Sequence, residues 1–161
     1  MIAGNIQIRP FCNNDFSNFA QVFGAYFKND FNIEISEVDL EKLCLEIVES
    51  SITGVMTLDL LFLDGKMVGF ILYQIDTPKS DWCEREGLGF IREIYVEQTL
   101  RGGGFGSKLV QNAEETLYNN GCEHIYLTSD ESGGFWESCG YMKTGEISDI
   151  NHDPIYEKKT K

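Results

Sequence analysis

The sequence predicts an α/β fold of the mixed-sheet, α+β kind, and three observations carry that reading. Phe90 to Val96, Phe105 to Asn120 and Glu123 to Thr128 read as strand, helix and strand. That is the length and pattern of a βαβ unit, whose two strands should run parallel with a right-handed crossover. Second, Met56 to Leu63 and Met67 to Ile75 flank Asp64-Gly65, and Asp-Gly supplies the positive φ angles of a tight hairpin turn. Third, two amphipathic helices precede that hairpin instead of alternating with strands, so most of the sheet should be antiparallel.

Each element has its own signal. Asn5 to Arg9 alternates around Ile6 and Ile8 and reads as a strand. Asp15 to Lys28 carries Phe16, Phe19, Phe23 and Phe27 at helical spacing. Ser36, with Asp39 three residues on, resembles a capping box ahead of Leu40, Leu43, Cys44, Ile47 and Val48, a second amphipathic helix. After the hairpin, Thr77 to Gly87 is polar and turn-like. The helix of the βαβ unit shows Phe105, Leu109, Ala113 and Leu117 on one stripe and stops at Asn119-Asn120-Gly121. A short helix around Gly134 to Cys139 and a strand from Tyr141 to Gly145 follow. Ile155 to Lys159 reads as a last, edge strand. Pro10, Pro78 and Pro154 all fall at element edges.

The bulk numbers bound the function. A chain of 161 residues reads as one domain over 1–161, burying roughly two-thirds of its unfolded surface. At 42% hydrophobic and 12% aromatic it supports a packed core. Its apolar runs, such as Val68 to Tyr73, are too short to span a bilayer. Met1-Ile2-Ala3-Gly4-Asn5 lacks the basic and apolar regions of a signal peptide. Five cysteines form no CxxC pair and only two histidines are present. Reduced thiols in a cytoplasmic protein without a metal site are therefore expected. A net charge of −13 argues against nucleic acid and anionic membranes as partners. It suits a cationic substrate, or simply keeps the protein soluble.

The most informative stretch is Arg101-Gly102-Gly103-Gly104-Phe105-Gly106, a glycine-rich turn between a strand and a helix. Such a turn is an anion site: several backbone N–H groups point one way, no Cβ blocks the approach, and the helix N-terminus adds partial positive charge. A Walker A loop is a weak reading, because Gly106-Ser107-Lys108 has the wrong order and the first glycine spacing is wrong. A Rossmann fingerprint fails at its third glycine, where Ser107 stands. The pattern that fits is R-x-x-G-x-G at Arg101, Gly104 and Gly106, five residues after the strand end Ile94-Tyr95-Val96. It resembles motif A of the GNAT superfamily of N-acetyltransferases. Phe135-Trp136-Glu137-Ser138-Cys139-Gly140-Tyr141, followed by Lys143-Thr144-Gly145-Glu146, resembles that family's motif B. The likeness spans Phe90 to Glu146.

The resemblance implies a GNAT-like acyl-CoA N-acyltransferase fold: a central, mostly antiparallel twisted sheet with one parallel βαβ pair and flanking helices. It implies acetyl-CoA (coenzyme A) as co-substrate, with no metal, and acetyl transfer to a primary amine by direct attack in a ternary complex. The amides of Gly102, Gly103, Gly104, Phe105, Gly106 and Ser107 would cradle the pyrophosphate, with Arg101 adding charge. Ile94, Tyr95 and Val96 would pair with the pantetheine arm, the Val96 amide serving as oxyanion donor. Tyr126 to Ser129 should splay away to admit the arm. Glu93 is the candidate general base, alternating with Ile91 and Tyr95 on one strand face, where burial would raise its pKa.

Two positions depart from the family pattern. Trp136 stands where many members carry a tyrosine acid, so it is expected to pack on the pantetheine arm. Ser129 stands where many place an asparagine that bonds coenzyme A. Tyr141 is expected to be core. Cys122 and Cys139 read as small buried hydrophobes, and His124 and His152 have no assigned role.

The two N-terminal helices and Thr77 to Gly87 would wall the acceptor pocket. Asp30, Glu34, Glu37, Asp39, Asp76, Asp81, Glu84 and Glu86 would form a carboxylate rim, with Tyr26, Phe31 and Trp82 as the apolar wall. That composition suits a polyamine, an aminoglycoside or a basic peptide. Two rival readings keep the fold: a non-catalytic acyl-CoA-binding module, and a protein-interaction domain. The resemblance also leaves room for a homodimer through the C-terminal strand.

Overall fold

The computed structural model describes residues 4–130 and 134–159, so the first three residues read for a leader lie outside it. Seven strands form one sheet: β1 (Ile6–Pro10), β2 (Thr57–Leu63), β3 (Lys66–Ile75), β4 (Gly89–Val96), β5 (His124–Thr128), β6 (Met142–Ile147) and β7 (Pro154–Lys159). Their order across the sheet is β1-β2-β3-β4-β5-β7-β6. Among the described residues only β4 and β5 pair in parallel. Helices α1 (Phe16–Phe31) and α2 (Glu37–Ile52) precede β2, α3 (Phe105–Asn119) joins β4 to β5, and the one-turn α4 (Phe135–Ser138) precedes β6. Among the described residues no helix is long and apolar enough to cross a membrane.

Local sequence explains the element ends. Ser36 Oγ accepts the Asp39 N–H at 3.2 Å and starts α2, satisfying one of the donors a helix N-terminus leaves over. Asp64 and Gly65 both take positive φ, 51° and 81°, as a two-residue hairpin turn needs. Asn32 ends α1 in the left-handed region at φ 53°.

The sheet is covered on both faces. α1 and α2 press Phe19, Phe23 and Cys44 onto Leu58, Leu60, Phe70 and Leu72. α3 presses Leu109, Val110, Ala113 and Leu117 onto Leu61, Ile71, Tyr73, Ile91, Ile125 and Leu127. β3 lies under both layers, so eight successive residues, Met67 to Gln74, are buried. This is why it reads as a continuous apolar run instead of an alternation.

One strand placement differs from the sequence reading. β7 is not an edge strand: it lies between β5 and β6, pairing antiparallel with both. Its Ile155 and Tyr156 are 2% and 1% exposed, which an interior position provides. β6, exposed at every residue, is the edge. Both ladder sides of β7 are therefore engaged, and it offers no free edge for a partner.

Candidate active site

The site begins where β4 and β5 part. Their pairing is confined to Gly89 with Ile125 and Phe90 with Tyr126, whose rings stack 4.4 Å apart. Beyond that point β4 stays bonded to β3, and the Glu97 N–H donates to Val68 O at 2.8 Å. Antiparallel ladders alternate the direction of their bonds. With Gly69 opposite Val96 and Ile71 opposite Ile94, the main-chain groups of Val96 and Ile94 point away from β3, into the gap toward β5. The splayed β4–β5 pair expected from the sequence is thus present. Arg101 Nε donates to the Val96 carbonyl at 2.9 Å, leaving the amide side of Val96 directed at the gap.

The glycine turn sits at the end of this gap. Gly102 and Gly104 take φ 87° and 85°, and a Cβ at either would meet open space. Their requirement is therefore backbone conformation, not crowding. Gly106 is different: a Cβ there would lie 3.1 Å from the Phe135 ring, so its absence lets α4 seat against the start of α3. Phe105, Gly106 and Ser107 form the first turn of α3, whose amides have no carbonyl partners within the helix. Uncluttered amides at a helix N-terminus suit a phosphate. Arg101 leans back from the turn: its Nη2 pairs with Asp30 at 2.6 Å and its guanidinium lies 5.5 Å from the Tyr95 ring centre.

Glu93 lies beside this gap, but on a face that the sequence did not reveal. The β3–β4 register shifts so that Leu72 faces Glu93 while Tyr73 faces Ile91. Arg92 is the unpaired residue of a bulge, which breaks the alternation. Ile91 packs in the α3 layer. Glu93 stays with Tyr95 on the α1 side, where it accepts a hydrogen bond from the Tyr26 hydroxyl. The expectation that Glu93 shares its face with Ile91 is corrected by that extra residue. Burial pushes the Glu93 carboxyl above its usual range, opposed by the Tyr26 bond and, less, by the Arg92 charge. Arg92 itself turns to Asp81 at 2.7 Å and Gln74 Oε1 at 3.3 Å.

The other candidates fall nearby or into the core. Trp136 is half-buried, edge-on to Phe135 and Tyr141 at 4.9 and 5.6 Å. Ser129 follows β5 and its N–H donates to Pro154 O at 3.1 Å. Tyr141 is fully buried, donates to Glu114 at 2.9 Å, and its hydroxyl is pushed up by burial first and that carboxylate second. It is core, as expected. Cys122 is buried and Cys139 partly so.

The carboxylate rim is thinner than the sequence suggested. Asp76 is fully buried and accepts from Gln74 Nε2, the Glu84 and Arg85 amides and the Tyr126 hydroxyl, so it organises the Thr77 to Gly87 turn and is not on any rim. Glu84 accepts from Ser148 Oγ at 2.7 Å. Asp30 and Asp81 are spent on arginines. Glu34, Glu37, Asp39 and Glu86 remain exposed. Phe31 stands edge-on to Tyr26 at 5.2 Å, whereas Trp82 packs on Phe90. The Tyr26–Glu93 bond joins residues 67 apart in the chain, and no local pattern could have found it.

The model of the acetyltransferase (GNAT) family matches residues 20–141. No curated protein matches the sequence. Among solved structures, the PaiA N-acetyltransferase of Thermoplasma acidophilum in complex with coenzyme A is similar at TM-score 0.73 and 22% identity, covering 96% of this chain and 99% of that one. The aminoglycoside acetyltransferase AAC(6')-Ib, also with coenzyme A, gives TM-score 0.76 and 17% identity, covering 96% and 95%. A GNAT family acetyltransferase of Brucella melitensis in complex with acetyl-CoA gives 0.66 and 18%, covering 96% and 88%.

Proposed function

The chain belongs to the acetyltransferase (GNAT) family, and from that premise we propose that it is an acetyl-CoA-dependent N-acetyltransferase acting on a primary amine by direct attack in a ternary complex. The observation that carries this is the β4–β5 gap, with the main-chain groups of Ile94 and Val96 directed into it and the glycine turn at its end. Those residues fit the co-substrate: an extended arm finds strand-like partners, and a pyrophosphate finds amides with no Cβ in the way.

Bound acetyl-CoA supplies the acetyl group as a thioester. The amides of Gly102 to Ser107 hold the pyrophosphate, and Arg101, its charge paired with Asp30, fixes the turn to the strand end. Trp136 and Ser129 border the arm. Glu93 takes the proton that the acceptor ammonium must lose before it can attack. The Val96 N–H donates to the carbonyl oxygen as negative charge builds on it. The leaving thiolate, with a pKa of about 8.5 by analogy with cysteine, needs no strong acid. That is compatible with tryptophan at position 136 and with Tyr141 locked in the core. The acceptor is a cationic small molecule or peptide approaching from the α1 side past Tyr26, Phe31 and the exposed Glu34 and Glu37.

The test is titration calorimetry with acetyl-CoA, comparing wild type with Gly104→Trp, followed by a thiol-release screen over amines with Glu93→Gln as control. Micromolar binding abolished by the substitution, then amine-dependent thiol release that needs Glu93, supports the proposal. Binding with no turnover on any amine would favour the acyl-CoA-binding module, to which the missing tyrosine at 136 lends weight. No binding at all would favour the protein-interaction domain.

A further inference from the structure

We propose that Arg92 binds a carboxylate of the acceptor, which makes the acceptor a small cationic amine of the amino-acid type, carrying its own carboxyl group. This rests on the reading of Glu93 as the base, and it narrows the acceptor which that reading leaves open. Arg92 and Glu93 are neighbours in the β4 bulge, where Leu72 pairs with Glu93 and Tyr73 with Ile91. A bulge sets two residues against one and re-aims a side chain, and bulges collect beside active sites. Here it places a guanidinium next to the base, close enough for its charge to act on the Glu93 carboxyl.

That guanidinium is positioned from the interior. Gln74 is 2% exposed, and its Nε2 donates to Asp76 Oδ1 at 2.8 Å and to Trp82 O at 2.7 Å. With both amide hydrogens spent, Gln74 Oε1 is fixed as an acceptor, and Arg92 Nη1 donates to it at 3.3 Å. Asp76 is fully buried, so two interior residues hold one arginine. The contacts of Arg92 with Met56 Sδ, Gln74 and Asp81 all use Nη1. Among the described residues its Nε and Nη2 make no hydrogen bond, and Asp81 is its one ion-pair partner. Asp81 is 73% exposed. A pair with so exposed a partner is worth little, and a ligand can displace it. A carboxylate is planar and singly charged, and it matches the arginine fork through two parallel bonds. A phosphate dianion fits less well, because it would stand beside the Glu93 carboxylate. The ammonium end of the same molecule goes to Glu93.

Lysine and cadaverine test this, because cadaverine is lysine without its carboxyl group and is the more positive of the two. The net charge of −13 acting alone favours cadaverine, whereas a carboxylate bound at Arg92 reverses the order. Calorimetric titration of the full chain, with coenzyme A present, should show lysine binding at least about tenfold tighter than cadaverine. Arg92→Gln should abolish that preference and leave cadaverine within about threefold of wild type. Asp81→Asn removes the competing carboxylate at an exposed position where folding is not at stake. It should tighten lysine about twofold or more without tightening cadaverine. Lysine binding no tighter than cadaverine, a preference that survives Arg92→Gln, or lysine weakened by Asp81→Asn would each overturn the proposal. Thiol release from acetyl-CoA with the same two amines reads the underlying function separately. A carboxylate preference in binding without turnover upholds the Arg92 contact and counts against acetyl transfer, and equal turnover of both amines upholds the transfer and overturns the contact.

Discussion

Glu93 carries two opposed demands, and one hydrogen bond sets the balance between them. Burial lifts its carboxyl above the usual range while the Tyr26 hydroxyl pulls it down. As a base it must be ionised, so the acid limb of kcat/KM should follow this group. Tyr26→Phe removes the lowering contact, and the limb should move to higher pH with the plateau largely kept. A pH–rate profile that stays put would refute Tyr26 as the residue that tunes the base. Glu93→Gln should cut turnover by about 10²–10⁴-fold. It should also stabilise the protein at neutral pH. A folded-state pKa above the unfolded one favours folding only in acid, and that benefit is lost as the pH rises through the folded value. The neutral amide escapes the cost of a buried charge, so the melting temperature at pH 7 should rise, by on the order of 0.5–2 kcal/mol in stability. At this scale the sequence disclosed the candidate base and its burial. It did not disclose the partner, because Tyr26 reaches Glu93 only through the docking of α1 on the sheet.

Elements were legible wherever one local rule decided them. Asp64-Gly65 dictated the hairpin, Ser36 the start of α2, and the four glycines the turn into α3. The bulge at Arg92 left no such mark, since one unpaired residue changes register without changing composition. Nor did the insertion of β7 between β5 and β6, because strand order depends on contacts far apart in the chain. Two element-scale predictions follow from the local geometry. Gly104→Ala places a Cβ in free space but at φ 85°, so it should cost about 1 kcal/mol of stability and weaken acetyl-CoA binding by disturbing the amides. Gly106→Leu collides with Phe135 and should unseat α4, visible as a changed Trp136 fluorescence. At the other end of the sheet, Arg9 grips Asp15 through two bonds, 2.7 and 2.9 Å, tying β1 to the start of α1. Arg9 holds the Asp15 carboxyl well below the usual carboxylate range. A lowered folded pKa gives stability present above the unfolded value and lost as the pH falls through the folded one. Asp15→Asn should therefore cost about 1–3 kcal/mol at neutral pH, and its urea midpoint should fall less steeply in acid than that of wild type.

At the scale of the whole molecule, the net charge of −13 acts differently on the two substrates. Coenzyme A is an anion and must approach against that field. On the proposed reading its retention at the glycine turn would rely on amide hydrogen bonds that act over about 3 Å and are little screened. A cationic amine gains from the same field at every distance up to the Debye length, about 30 Å at 0.01 M ionic strength and under about 5 Å at 0.5 M. Much of the acidity is not free to act at the site: Asp76 is internal, and Asp30 and Asp81 are neutralised by Arg101 and Arg92. The attraction must then come from exposed residues such as Glu34 and Glu37, where screening is strongest. Raising the salt should accordingly raise KM for a cationic acceptor several-fold, leave KM for a neutral amine of similar shape unchanged, and leave acetyl-CoA affinity flat or slightly improved. Steady-state kinetics in sodium chloride, with the cationic and neutral acceptors in parallel, reads all three. If cationic and neutral acceptors respond alike, the acidic surface plays no part in choosing the substrate and serves only to keep the molecule in solution.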